Sequence, residues 1–131
     1  MSRRQTIGDL LEAARRRIGR LEPAAAHRAV AEGALLVDTR SADLRRETGT
    51  VPGSVHVPLS VLYWRLDPSS GHDDPALSHL ERPVVLICAH GYSSSLAAAT
   101  LVDLGFESVA DVIGGFEAWV AAGLPVEPSG P

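Results

Sequence analysis

The apolar positions of the chain fall into two periods. Leu10, Ala14, Ile18 and Leu21 recur at helical spacing behind Thr6 and Asp9, which stand three apart as in a capping box, so an amphipathic helix is expected there. Pro23 as a first helical residue, Ala24 to Glu32, and Gly33 as terminator predict a second, short helix. Short strands are expected at Ala34 to Asp38, Val55 to Val57 (closed by Pro58), Val84 to Ile87 and Val109 to Ile113. Val84 to Ile87, unbroken and rich in β-branched residues, has the pattern of a parallel strand buried on both faces. Leu59 to Leu66 predicts a helix with Leu62 and Leu66 on one side and Tyr63 or Trp64 covering the core. Leu96 to Leu104, ended by Gly105, predicts another helix, and Phe116 to Ala122, with Trp119 inward and Gly123 behind it, a closing one. Thr48 to Ser54 reads as a turn-rich connection and Asp67 to Asp74 as a mobile loop. Strands alternating with helices place the chain in the α/β class.

The 131 residues, 45% of them hydrophobic, amount to one domain with enough apolar material for a core of its own. A single cysteine cannot form an internal disulfide and fits a reducing compartment. No apolar run approaches the ~20 residues of a membrane span. Met1 to Arg4 resembles the charged start of an export signal, but Asp9, Glu12 and Arg15 to Arg17 stand where its apolar region should be, so a cytoplasmic protein is expected. The net charge of −4 is uneven: residues 1–46 hold ten arginines and six acids, the remainder two arginines and ten acids. The amino-terminal arginines alternate with acids and no aromatic interleaves them, which reads as a solvated helix face and not as a nucleic-acid surface. His72 beside Asp73 and Asp74 lacks metal-ligand spacing, and no metal is expected. Gly114-Gly115 has neither a phosphate-loop lysine nor a dinucleotide-loop spacing, so tight packing is its plainer reading.

The candidate chemistry sits where the Val84 to Ile87 strand runs out. Cys88 to Ser93 must carry the chain from the strand's carboxyl end into the next helix, with Gly91 free of a Cβ penalty and Ser93 and Ser94 as N-cap types. Amides wrapped around the sulfur at a helix start lower a thiol pKa and make a nucleophile. The alternative is that Cys88 is a small core residue, but the carboxyl end of a parallel strand is where open α/β sheets place ligand crevices. Asp38 and Arg40 end another strand on that side. Either they line the same crevice, or Asp38 caps its turn and Arg40 pairs with a carboxylate.

The ordered set Asp38-x-Arg40, Gly49-x-Val51-Pro52-Gly53-Ser54-x-His56-Val57-Pro58, Cys88-x-x-Gly91-x-Ser93-Ser94 and Gly114-Gly115-Phe116-x-Ala118-Trp119 resembles the rhodanese family, over about residues 20 to 127. The loop looks most like that of the bacterial single-domain thiosulfate sulfurtransferases. The resemblance implies a rhodanese-like three-layer α/β domain, a parallel five-stranded sheet with helices on both faces, its fifth strand a very short one near Arg20-Leu21. It divides the chain into an amino-terminal helical extension (1–19), the domain (20–127) and a tail (128–131). The implied activity is transfer of sulfane sulfur from thiosulfate or a similar donor to a thiol or cyanide through a persulfide on Cys88, with no cofactor and no metal. Backbone amides from Ala89 through His90, Gly91, Tyr92 and Ser93 to Ser94 would cradle the persulfide, the two serine hydroxyls adding hydrogen bonds and Arg40 helping to attract an anion. Ala89, His90 and Tyr92 stand where some family members carry a basic residue. His90 either supplies charge when protonated or covers the sulfur. The implied partners are a small sulfur donor and acceptor, with a thioredoxin-like protein as a candidate acceptor, and neither nucleic acid nor membrane. Two rivals remain. Related cysteine phosphatases and arsenate reductases need an arginine where position 94 is serine. A non-enzymatic redox-sensing or protein-interaction module would keep the fold without the transfer.

Overall fold

The computed structural model describes residues 4–129. Met1 to Arg3 of the charged start, and Gly130 and Pro131 of the 128–131 tail, lie outside the described residues. In chain order the elements are α1 (Ile7–Arg15), β1 (Gly19–Leu21), α2 (Pro23–Ala31), β2 (Leu35–Asp38), α3 (Ala42–Thr48), β3 (Val55–His56), α4 (Leu62–Leu66), β4 (Val84–Ile87), α5 (Ser93–Asp103), β5 (Val109–Val112) and α6 (Gly115–Ala121). The five strands form one sheet in the order β1-β5-β4-β2-β3, every pair parallel. All carboxyl ends therefore share one edge, with β4 in the middle.

Alternate residues of the strands feed two cores. Leu35, Val37, Leu86 and Val109 meet Leu62 and Leu66 of α4 and Ala97, Ala98 and Leu101 of α5 on one face, while α1 packs outside α5. Leu36, Val85, Ile87 and Val112 meet Ala26 of α2 and Phe116 and Trp119 of α6 on the other. This is the expected three-layer α/β arrangement, and it explains the unbroken apolar runs: both faces of each inner strand are covered.

Several local expectations are corrected. The capping box is present, Thr6 Oγ1 accepting from the Asp9 amide at 3.0 Å, but α1 stops at Arg15. Ile18 and Leu21 continue the helical spacing only in sequence. Gly19 is a poor helix residue, and pairing with β5 satisfies the backbone of β1 instead, so the short fifth strand lies where the resemblance put it. The sequence reading has no helix at α3, because none of its residues is buried and no apolar stripe marks it; Ser41 caps it. Leu62 and Leu66 are fully buried as expected. Tyr63 packs partly against them, whereas Trp64 faces solvent, 53% exposed. Beyond α4, Ser70 and His72 of the expected mobile loop are tied back by hydrogen bonds to Trp64 and from Arg65. The helix expected from Leu96 begins at Ser93. Tyr92 takes the N-cap position, and Ser93 and Ser94 lie inside the first turn, their hydroxyls released from capping.

Candidate active site

β4 is the central strand, and Cys88 is the first residue beyond it. Five residues, Cys88 to Tyr92, then join it to α5. Gly91 has φ +83°, and a Cβ there would stand 2.7 Å from the Gly114 nitrogen, so both conformation and space require glycine. Gly115 is equally constrained: its Cβ would lie 2.5 Å from the Cys88 oxygen. That close approach lets the first amides of α6 satisfy the loop, Phe116 N–H donating to Cys88 O at 2.7 Å and Glu117 N–H to Ala89 O at 3.2 Å. The Gly114-Gly115 pair is thus a packing device beside the cysteine, as expected.

The sulfur is held from below. Gly91 N–H donates to Cys88 Sγ at 3.2 Å, and the thiol donates to Ser94 Oγ at 3.2 Å. The Ser94 hydroxyl in turn donates to Asp111 Oδ2 at 2.8 Å. Burial raises the thiol pKa, but the hydroxyls of Ser94 and Ser93 and the N–H groups of Ser94 and Gly91 outweigh it, and Cys88 ends below its ordinary value. The sulfur is less open than the sequence reading expects. Cys88 is 5% exposed, and the amide of Gly91 with the hydroxyl of Ser94, in place of a full ring of amides, makes the close contacts. A cavity of about 340 Å³ begins at Ala89 and His90 beside it, walled by Leu44, Phe116 and Val120, with Arg40 and Thr48 at its side.

The flanking residues divide. His90 is turned outward, its Nδ1 2.7 Å from Glu117 Oε2, so it does not cover the sulfur, and any charge it carries is matched by a carboxylate. Tyr92 is exposed at the lip. Arg40 borders the cavity but is buried and committed: Nε and Nη2 grip Asp38 at 3.0 and 2.8 Å, Nη2 also reaches Gly49 O, and Nη1 reaches Thr48 Oγ1. Its guanidinium carbon lies 3.8 Å over the Phe116 ring. The Arg40 amide also donates to Asp38 Oδ1 at 3.0 Å, so Asp38 caps its turn and pairs with Arg40, and Arg40 acts as a brace between β2 and α6.

Sequence reasoning misses four residues at this site. Asp111, fully buried, accepts from both Ser94 and Ser95 and from Arg20 Nε at 2.9 Å. Arg15 Nη2 and Arg20 Nη2 both donate to Gly91 O, at 2.8 and 3.2 Å. The amino-terminal arginines are therefore not all a solvated face: Arg16 pairs with Glu12 in solvent, while Arg15 turns inward to the loop. One signal was present in sequence, a carboxylate inside the apolar run Val109 to Ile113, which demands a buried partner.

A parallel α/β sheet with its only cysteine looped at the central strand's end is matched by the model of the rhodanese-like domain over residues 22–122. The chain belongs to the rhodanese-like family. Among its rhodanese relatives, the thiosulfate sulfurtransferase GlpE of Pseudomonas savastanoi is 41% identical over 102 residues, 78% of this chain and 87% of that protein. The GlpE protein of Stutzerimonas stutzeri is 38% identical over 76% of this chain and 83% of its own. Among solved structures, a Rhodopseudomonas palustris protein described as a possible tyrosine phosphatase aligns at TM-score 0.88 and 33% identity, covering 97% of this chain and 98% of that one. The polysulfide-sulfur transferase homodimer of Wolinella succinogenes aligns at TM-score 0.71 and 25% identity, over 91% of this chain and 85% of that one. No helix among the described residues is long and apolar enough to cross a membrane.

Proposed function

We propose that this rhodanese-type protein is a sulfurtransferase that carries sulfane sulfur on Cys88. The observation that carries the reading is a thiol of lowered pKa at the end of β4, with an amide and a hydroxyl on its sulfur. The Cys88 thiolate attacks the outer sulfur of thiosulfate or a similar donor; the S–S bond of the donor breaks, sulfite leaves with the electron pair, and a Cys88 persulfide anion remains. Cyanide or a thiolate then takes the terminal sulfur as thiocyanate or a new persulfide, and the Cys88 thiolate returns. The negative charge stays on sulfur in both states, so the site needs hydrogen-bond donors and no general base. With no second cysteine the persulfide waits for an external acceptor, a small thiol or a thioredoxin-like protein of the cytoplasm.

The name of the R. palustris neighbour makes phosphoryl chemistry the second reading to test. Position 94 is serine, and the guanidiniums of Arg15 and Arg20 face the Gly91 carbonyl and Asp111, leaving no fork for phosphate oxygens. The experiment is an intact mass after incubation with thiosulfate. A gain of one sulfur atom, removed by cyanide or dithiothreitol, is expected. A protein that gains no sulfur from thiosulfate or polysulfide overturns the proposal in favour of the interaction module, and turnover of p-nitrophenyl phosphate would favour the phosphatase.

A further inference from the structure

The active-site loop is anchored from outside the domain that the family model describes. The match begins at residue 22, yet both guanidiniums on the Gly91 carbonyl come from earlier residues, Arg15 at the end of α1 and Arg20 in β1. Gly91 is the loop residue whose N–H reaches the sulfur, and glycine has no side chain to fix its peptide planes. Two cations on its oxygen do so, one of them bonded at 2.8 Å. Arg15 also donates Nε to Ser95 Oγ at 3.1 Å. With its oxygen accepting from Arg15, the Ser95 hydroxyl sends its proton to Asp111 Oδ2 at 2.7 Å. Asp111 is then satisfied by Ser95 and Arg20, and the Ser94 hydroxyl is free to turn from Asp111 to the sulfur once Cys88 ionises. The Arg15 guanidinium lies 5.7 Å from the Tyr92 ring centroid, a second hold on the loop.

We propose that the amino-terminal helix is part of the sulfur site, with Arg15 as a positioning residue that fixes the Gly91 carbonyl and so keeps the Gly91 amide on Cys88. The inference rests on Cys88 being the sulfur carrier. The charges around the thiol agree with it. Beneath the loop Asp111 pairs with Arg20, and Arg15 on the Gly91 carbonyl is a second cation, one more than that carboxylate matches. On the cavity side His90 faces Glu117, and from β2 and α3 Asp38 is shared by Arg40 and Arg45. Removing Arg15 takes away the surplus positive charge below the sulfur as well as the anchor, and both losses disfavour the thiolate.

The test compares Arg15→Gln, Arg15→Lys and Arg16→Gln in the full chain, reading the pH midpoint of Cys88 alkylation by iodoacetamide, the rate of sulfur loading from thiosulfate, and thermal melting. Arg15→Gln is expected to move the midpoint up by roughly one pH unit and to slow loading about tenfold below it. Arg15→Lys keeps the charge with only part of the fork and recovers part of the shift; Arg16→Gln, in its solvent-exposed pair, behaves as wild type. A folded Arg15→Gln protein with the wild-type midpoint and loading rate overturns the proposal. Should that variant fail to fold, Arg15→Lys is read alone, and a wild-type midpoint and loading rate in it overturn the proposal. The alkylation midpoint needs no sulfur transfer, so a wild-type protein that gains no sulfur defeats the sulfurtransferase reading on separate grounds.

Discussion

The Ser94 hydroxyl has two partners and one proton. In the thiol form Cys88 donates to it and it donates to Asp111; in the thiolate form its proton is needed on the sulfur, while Asp111 keeps Ser95 and Arg20. Ser94→Ala is therefore expected to raise the alkylation midpoint of Cys88 and slow sulfur loading by about tenfold at neutral pH, measured by iodoacetamide trapping and thiocyanate release. Cys88→Ser should abolish transfer and leave the melting temperature nearly unchanged, since the hydroxyl keeps both hydrogen bonds. The pH dependence has a definite sign. Because the folded pKa of Cys88 is lowered, its ionisation favours the native state. That contribution is present above the ordinary thiol pKa and is lost as pH falls through the lowered folded value. Urea midpoints should accordingly rise with pH across this window in wild type and rise less in Cys88→Ser.

At the scale of elements, the site is a junction of three starts and ends: the carboxyl end of β4, the first turn of α5 and the first turn of α6. The junction closes because Gly115, at φ +64°, brings α6 against the Cys88 carbonyl. Gly115→Ala combines a disfavoured backbone region with a clash against main-chain atoms that cannot rotate away. A loss of about 2–3 kcal/mol in denaturant unfolding, with sulfur loading reduced far more than for a surface Gly33→Ala control, is expected. Gly33 also has positive φ, but nothing stands near its Cβ position, so the control isolates the contact from the backbone effect.

For the whole molecule, the sheet divides the interior into two cores, and a cost on one face should not be felt on the other. Leu101→Ala, among α5 and the β2–β4 residues of its face, should lose about 2–5 kcal/mol, and Val112→Ala, beneath Trp119, about 1–3 kcal/mol. Their double variant should equal the sum within about 0.5 kcal/mol in urea unfolding, because the two residues belong to separate cores. Both cores are also what made the fold legible. Runs such as Val84 to Ile87 are apolar at every position because neighbours cover both sides, and Pro23, Thr6 and Gly105 mark helix ends by local chemistry alone. The exposed α3 left no such trace, and β1 hid inside a helical spacing because its pairing with β5 is a contact across the whole chain.

Local chemistry likewise placed the cysteine: an apolar strand, a lone thiol, a glycine and serines in succession are enough to locate a nucleophile at a strand-to-helix loop. What surrounds that thiol belongs to the tertiary structure. A buried charge in sequence states only that some partner must exist, and folding decided that Asp111 would meet two serines of α5 and an arginine of β1. Folding also brought the arginine-rich start of the chain onto the Gly91 carbonyl, so that a segment reading as a solvated face became part of the loop's support. Periodicity records which face of an element is covered; it holds no information on which distant side chain will do the covering.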